Sequence, residues 1–388
     1  MSAPGEPVSQ QWVLQFCHGY DGPFLDCARQ YAVLFSGTPY KVCTVYLTGA
    51  PSDEVKRASA SDDVVFLGYD SKDVRGLKLD AMLRLREIVA GRDFRFCIAH
   101  RFKPIYIALL ATRLSVIGVH HAFGVYSRPM RRWFVNRFRS RLLLLGVSNA
   151  VRDEMRAHLP NWEPARIETL YNRIDVAAVQ AGQVSREAAR EALGLPQGAY
   201  VVGNVGRLHP DKDQATLIRG FAQALPKLPQ GTLLAIMGSG RLQGSLRQLA
   251  QESSIAEQVL FLGQVPMGRR YFKAFDVFAL SSDHEPFGMV LLEAMAAGVP
   301  VVTSDCGGGR EVIGSTGLLF PLGDSTGLAD RLTHLADLSG EELDRCVTKM
   351  LDRLGDIFSD SAVRSRFWRM DIVSSIAEPY RASRGKPV

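Results

Sequence analysis

Residues 276–304 read DVFALSSDHEPFGMVLLEAMAAGVPVVTS. The stretch opens on a short apolar run, 276–281, and closes on another, VPVVTS at 299–304. Between them the pattern predicts a helix over 287–297, with Pro286 in its first turn, Gly298 just past its end and Pro300 beyond as a stop. Continuous apolar runs separated by helices are the mark of parallel strands buried on both faces.

The same rhythm extends in both directions. Strand-like segments are expected at 12–16, 41–47, 64–68, 94–99, 114–119 and 142–148, with helical patterns such as 24–36, 77–90 and 149–158 between them. A second array follows at 200–206, 232–238, 258–263, 276–281 and 299–304. Two successive arrays predict an α/β protein of two Rossmann-like, doubly wound domains facing a central cleft. Composition shifts to a polar, Ala-rich stretch at 175–199, where the boundary is placed. The expected domains are 1–175 and 176–360.

Composition narrows the class. The chain has 388 residues, 46% hydrophobic and 22% charged, which excludes a fully disordered or fibrous protein. No apolar run approaches the roughly 18 residues a membrane span needs. The stretch MSAPGEPVSQQW carries no basic cluster, so no signal peptide and a cytoplasmic address are expected. Six scattered cysteines without a CxxC pair point to reduced thiols, not a zinc site or a disulfide framework. The formal charge of +6 is compatible with an anionic partner.

Three segments of the second half carry chemistry. GRLHPDKD (206–213) puts Arg207 and Lys212 on one strand-to-helix loop, a planar fork and a point charge suited to a diphosphate. In 284–302, Glu285 follows a strand, Gly288 lets a ligand approach the backbone, and the following helix offers its N–H groups to an anion. Glu293 lies eight positions further, about two helical turns on. CGGGREVIGSTGLLF (306–320) places three glycines after another strand. The bland readings are a solvated loop, a capping acid with a core-edge acid, and a plain tight turn.

Together these segments resemble the retaining GT-B glycosyltransferases of glycosyltransferase family 4 (glycosyl transferases group 1). Glu285 and Glu293 stand in the family's Glu-x7-Glu relation, with GGGREVI and TGLLF after it, GRLHPDK before it, and YNRID (171–175) like the signature that ends the first domain. The resemblance is close over 165–325 and weak in the first half. It implies that Arg207 and Lys212 hold the donor diphosphate, Glu285 the sugar hydroxyls and Glu293 the ribose. It implies that the backbone at Phe287, Gly288, Met289, Val290 and Gly308 meets phosphate or sugar. The base would lie near Val265. It further implies a C-terminal helix, 361–388, packing back on the first domain.

In the first half, CHGYDGPFLD (17–26) holds Gly19 and Gly22 where the family has adjacent glycines at a donor-approaching loop. LSVIGVHHAFG (114–124) ends a strand on two histidines, and the resemblance favours His120 over His121 as the residue beside the transferring sugar. Strand alternation sends the two to opposite sides. His100, ending the preceding strand, is a further cleft candidate. SRPMRRWFVNRFRSR (127–141) has six arginines and no acid. There Arg128, Arg131, Arg132 and Trp133 are candidates for acceptor or membrane contact, with Phe134 and Phe138 inserting shallowly if the segment is helical.

The resulting expectation is a retaining, metal-independent hexosyltransferase using a UDP- or GDP-linked donor, with no cofactor and no bound metal. Its acceptor is a glycan or lipid-linked hydroxyl in lipopolysaccharide core or envelope polysaccharide synthesis, and an anionic membrane surface is a possible partner. The alternatives are a non-catalytic anion-binding protein or a nucleic-acid binder on the same fold; the reading expects no nucleic acid.

Overall fold

The computed structural model describes residues 10–70 and 72–377. It divides into two compact units, one of Met1–Asn172 with Val363–Val388 and one of Arg173–Ala362.

The first unit is built on strands β1 (Trp12–Cys17), β2 (Lys41–Thr48), β3 (Asp63–Tyr69), β4 (Phe94–His100), β5 (Ser115–His120), β6 (Leu142–Gly146) and β7 (Ile167–Thr169). The connecting helices are α1 (Phe24–Ala32), α2 (Asp53–Ala58), α3 (Leu79–Ala90), α4 (Phe102–Ala111), α5 (Pro129–Arg137) and α6 (Asn149–His158). The strands are parallel in the order β3-β2-β1-β4-β5-β6-β7. Residues Leu142–Gly146 are buried throughout, as helices on both faces require. β7 is three residues long, too short for its own periodicity.

The second unit contains α7 (Val176–Gly182), α8 (Arg186–Leu193), β8 (Val201–Val205), α9 (Gln214–Ala224), β9 (Leu233–Met237), α10 (Gln243–Glu252), β10 (Val259–Gly263), β11 (Val277–Leu280), α11 (Met289–Ala296), β12 (Val301–Ser304), α12 (Gly307–Ile313), β13 (Leu318–Phe320), α13 (Ser325–Ala336) and α14 (Gly340–Arg353). Its parallel sheet runs β10-β9-β8-β11-β12-β13 around a core that includes Leu217, Phe221, Ile236 and Val302. In each sheet the winding reverses once, between β1 and β4 and between β8 and β11. Such a reversal sends the loops on either side of it apart and leaves a crevice at the carboxyl ends of the strands.

The stretch 175–199 is no bare linker. It folds as α7 and α8, and α8 is tied into the second unit from within. Arg190, with no exposed side-chain surface, donates to Asp276 Oδ2 (2.8 Å) and to the carbonyls of Ala274 and Pro196. Asp276 also accepts from Arg186 (2.6 Å) and from Val201 N–H (2.7 Å) at the start of β8. The polar composition therefore reflects a buried network.

After α14 a π-helical turn, Leu354–Phe358, leads into α15 (Asp360–Arg369) and α16 (Asp371–Ile376). The single helix expected over 361–388 is thus interrupted at Met370, whose backbone is extended, and its end lies outside the described residues. α15 is held in the first unit: Trp368 Nε1 donates to Leu34 O (2.9 Å), Arg366 Nε to Thr169 O (3.1 Å), and Phe367 packs edge-on to Phe35. The cysteines are all free of disulfides. No helix among the described residues is long and apolar enough to cross a membrane.

Removing one partner of a buried ion pair costs about 3–5 kcal/mol because the other charge stays behind without compensation. Asp276→Ala is expected to lose about 3 kcal/mol or more in urea unfolding of the second unit. Arg186→Ala, on the exposed side of the same carboxylate, is expected to lose under about 1 kcal/mol. Equal losses would show that burial of Arg190 is not what makes the network matter.

Candidate active site

In the second unit the loops after β8, β9, β10, β11 and β12 gather at one edge of the sheet. Glycines bring the first three together. A Cβ on Gly238, at φ +146°, would lie 1.9 Å from Gly206 O, and one on Gly240 would lie 2.3 Å from Leu208 O. Only glycine lets the loop after β9 lie against the loop carrying Arg207. Gly238 N–H in turn donates to Gly263 O at 2.7 Å, fixing the end of β10 and hence the approach to Val265, which is partly exposed. These two glycines were not singled out in the sequence, although MGSG follows a strand there as GRLH follows β8.

Across the sheet's reversal, Lys212 Nζ donates to Glu285 Oε2 at 2.7 Å, and Ser282 Oγ donates to the same oxygen at 3.1 Å. Glu285 is 6% exposed. Burying a carboxylate is costly, and these two hydrogen bonds offset part of that cost. Arg207 lies on the open side, 71% exposed, its guanidinium 3.2 Å from Asp211. Asp211 also takes His209 Nδ1 at 2.5 Å, so one acid organises both sides of the loop.

α11 begins two residues later than the pattern predicts. Gly288, at φ +100°, is its N-cap, so Pro286 stands before the helix. The N–H groups of Met289 and Val290 consequently open the first turn without intrahelical acceptors. Phe287 is buried against Phe358. Glu293 is half-buried within the helix.

Gly308 corrects an expectation. Its N–H donates to Glu285 O at 2.8 Å, and its missing Cβ would lie 2.5 Å from Phe287 Cα. Its amide is thus committed to the chain. The glycines open α12 and let it press on the loop of Glu285.

In the first unit β1, β4 and β5 are neighbours, so His18, His100 and the pair His120–His121 end adjacent strands. The two sides predicted by alternation are observed. His120, 1% exposed, has Nε2 2.8 Å from Tyr126 Oη. His121 is partly exposed; its Nε2 is 3.2 Å from His100 Nδ1, and its ring meets Phe24 edge-on. The structure thus seats the favoured His120 in the interior, and the residue with open surface is His121. Burial pushes His120 from the ordinary 6.5 down to about 3, with the charges of His121 and Arg131 adding to it. Burial likewise lowers His100 and His121. Gly19 is a packing glycine, its Cβ position 2.7 Å from Thr48 Oγ1. Gly22 stands at φ +59° with open space around it. Tyr20, between them, is spent on Ala50 O and on Tyr46 and Phe66.

The basic segment is also corrected. α5 ends at Arg137 and a 3-10 turn follows, so Phe138 lies past the end of the helix on which Phe134 stands. Phe134 is buried against Phe102 and Tyr106, and Phe138 packs on Phe134. Arg132 donates to Tyr126 O and Ser127 O, Arg131 to Val125 O while lying over Phe102, and Arg141 to three carbonyls. Trp133 and Met130 remain 64% and 73% exposed, and Arg128 is exposed.

Residues 185–350 match the family glycosyl transferases group 1. The matched stretch holds Arg207, Lys212, Glu285 and Glu293. Among curated proteins, the chain is 33% identical over 181 residues to N-acetyl-alpha-D-glucosaminyl L-malate synthase of Bacillus anthracis, covering 46% of each. It is 34% identical over 185 residues to D-inositol 3-phosphate glycosyltransferase of Corynebacterium efficiens (45% of this chain, 44% of that protein). It is 37% identical over 148 residues to lipopolysaccharide core biosynthesis glycosyltransferase LpsE of Rhizobium meliloti (38% and 42%). The chain therefore spans under half the length of each of these relatives.

Whole-chain similarity appears in solved structures. A glycosyltransferase from Rickettsia africae superposes with a TM-score of 0.81 at 13% identity, over 95% of this chain and 99% of that one. Anabaena Alr3699/HepE, in complex with UDP and glucose, gives 0.74 at 19% identity over 95% and 99%. At such identities the likeness speaks for the fold, which is that of two Rossmann-like GT-B units.

The histidines set a pH dependence. Because His120 binds its proton far less readily folded than unfolded, the unfolded chain holds the extra proton between about pH 6.5 and 3. Stability is then complete above pH 6.5 and falls on acidification, by up to about 1.4 kcal/mol per pH unit per proton. Urea midpoints of the first unit at pH 6.5 and 5.0 are expected to differ more in wild type than in His120→Gln. An unchanged difference would mean that His120 is not held neutral.

Proposed function

We propose that the chain is a retaining glycosyltransferase that moves a hexose from a nucleotide-sugar, UDP- or GDP-linked, to a hydroxyl acceptor. The observation that carries this is the Lys212–Glu285 pair at the reversal of the second sheet, beside the start of α11 and inside the matched stretch. Arg207, Lys212 and the N–H groups of Met289 and Val290 offer positive charge where a leaving diphosphate gains negative charge, which is electrostatic catalysis. In this reading the chain's own cations take the part that a metal plays elsewhere. Lys212 leaves part of its bond to Glu285 when phosphate arrives, and Glu285 turns its second oxygen to sugar hydroxyls. Glu293 takes the ribose and the stretch at Val265 the base. No carboxylate stands as an evident nucleophile, so attack on the same face, assisted by the leaving phosphate, is the mechanism that the family resemblance supports. The Anabaena neighbour's complex with UDP and glucose supports a UDP-linked donor, and the Rhizobium meliloti relative supports a role in lipopolysaccharide core assembly.

A cytoplasmic, membrane-peripheral location goes with that acceptor. Besides Trp133 and Met130, the large exposed apolar side chains of the first unit include Leu77, Leu79 and Leu83 at the start of α3. They join α5 through Lys78, over the Tyr106 ring at 4.9 Å, and Tyr106 against Phe134 at 5.0 Å. The sequence reading missed them because they belong to another helix.

Two measurements test the proposal. A panel of UDP-, GDP- and ADP-sugars is expected to yield one donor that stabilises the protein by about 2.7 kcal/mol at a hundredfold excess over Kd. With that donor, Arg207→Ala is expected to lower kcat by more than it raises KM, since the charge it meets grows in the transition state. Its exposure makes it the cleaner variant. No stabilisation by any of the donors would remove the proposal.

For the membrane, wild type is expected to sediment with vesicles containing anionic lipid at low salt and to be released at high salt, and Met130→Ser/Trp133→Ser to sediment less. Indifference to lipid charge and salt would confine the exposed side chains to some other contact.

A further inference from the structure

Arg101 adopts a backbone conformation that belongs almost entirely to glycine. Its φ is +73° and its ψ 164°. Such a conformation is strained for any residue with a side chain and stays only where its surroundings hold it. Here its N–H donates to Val119 O at 2.9 Å, and its carbonyl accepts from Ile105 N–H as α4 begins. It follows the last residue of β4, at the reversal of the first sheet.

The side chain held there is exposed and cationic. The guanidinium stacks on the Phe24 ring at 3.9 Å, which fixes its plane and leaves its fork of donors free. No ion pair among the described residues includes Arg101, Lys103 or Lys78. The three nonetheless lie in one electrostatic neighbourhood. Lys103 and Arg101 both lower His18, Lys103 also lowers Lys78, and the acid that acts on His18 is Asp21. Lys103 stands in the first turn of the ten-residue α4, and Lys78 lies over the ring of Tyr106, one turn further along the same helix, at 4.9 Å.

We infer that the first unit binds a phosphate monoester, with Arg101 and Lys103 as its principal contacts and Lys78 and His18 at the rim. Two cations match a dianion better than a single carboxylate, and an Arg fork beside a Lys point charge suits its three oxygens. Its place as part of the acceptor rests on the transferase reading; the binding itself does not. The phosphate could be carried by a soluble sugar phosphate or by a lipid headgroup.

The experiment is calorimetry of the full chain with inorganic phosphate in chloride buffer. The starting variant is Arg207→Ala/Lys212→Ala, in which the two cations of the candidate active site are gone. One phosphate site is expected to remain. Adding Arg101→Gly, or Lys103→Gln, is expected to weaken it tenfold or more. Arg101→Gly relieves the backbone, so its thermal midpoint is expected at or above that of the parent, which separates lost binding from lost folding. In an NMR titration, phosphate is expected to move the His18 pKa upward by masking the cations near it. Hexose 6-phosphate and dihexanoyl phosphatidic acid below its micelle concentration then compete as probes. Stronger displacement by the first names a soluble source, and by the second a lipid one. The inference is overturned if affinity survives both replacements, if His18 does not respond, or if neither monoester displaces phosphate at tenfold excess. A failed donor panel with an intact phosphate site would instead remove the transferase reading and leave this one standing.

Discussion

Lys212 and Glu285 meet at 2.7 Å because the second sheet reverses its winding between β8 and β11. Parallel strands require crossovers, and crossovers of one hand carry the chain to one edge and then to the other. At the reversal the loops after β8 and β11 are adjacent in space, although 73 residues separate the two partners. Everything else in the candidate site leans on that adjacency. Ser282 supports Glu285, Asp211 steadies Arg207 and His209, and Gly308 locks the loop of Glu285 from behind.

The first sheet repeats the device with different chemistry. Its reversal gathers His18, His100, Arg101 and His121 at neighbouring strand ends. Here Arg101 and Lys103 enter no ion pair among the described residues, and burial lowers the proton affinity of the histidines. At the reversal of the second sheet a cation is already paired with an acid, whereas Arg101 at the reversal of the first is stacked on Phe24. The difference gives each crevice its own character: a ligand of the second unit must compete with Glu285, whereas Arg101 in the first has no carboxylate bonded to it among the described residues.

Packing glycines and buried charges carry the site's precision. Gly238 and Gly240 permit loop-to-loop distances that any side chain would block, and Arg190 with Asp276 ties α8 to the base of β8 and β11. Neither feature touches the proposed chemistry. Both determine where Arg207 and Lys212 begin their loop, so a fault there would be felt at the site.

Much of this was legible in the residues alone. Apolar runs alternating with amphipathic segments announced two doubly wound sheets, and Arg207, Lys212, Glu285 and Glu293 stood out because each sits on a strand-to-helix loop or the helix after it. What local pattern could not reach was anything depending on a distant partner. β7 and β13 are three residues each, too short to show a period, and become strands only by pairing with β6 and β12. The choice between His120 and His121 turned on Tyr126 and His100, the fate of Phe134 on Tyr106, and the commitment of the Gly308 amide on Glu285 O. The strain at Arg101 has no sequence signal at all, since a left-handed backbone at an arginine is imposed by the ladder bond to Val119. Periodicity and turn chemistry are short-range and are written in the chain; burial, ion pairing and backbone strain are properties of neighbours, which only the folded structure supplies.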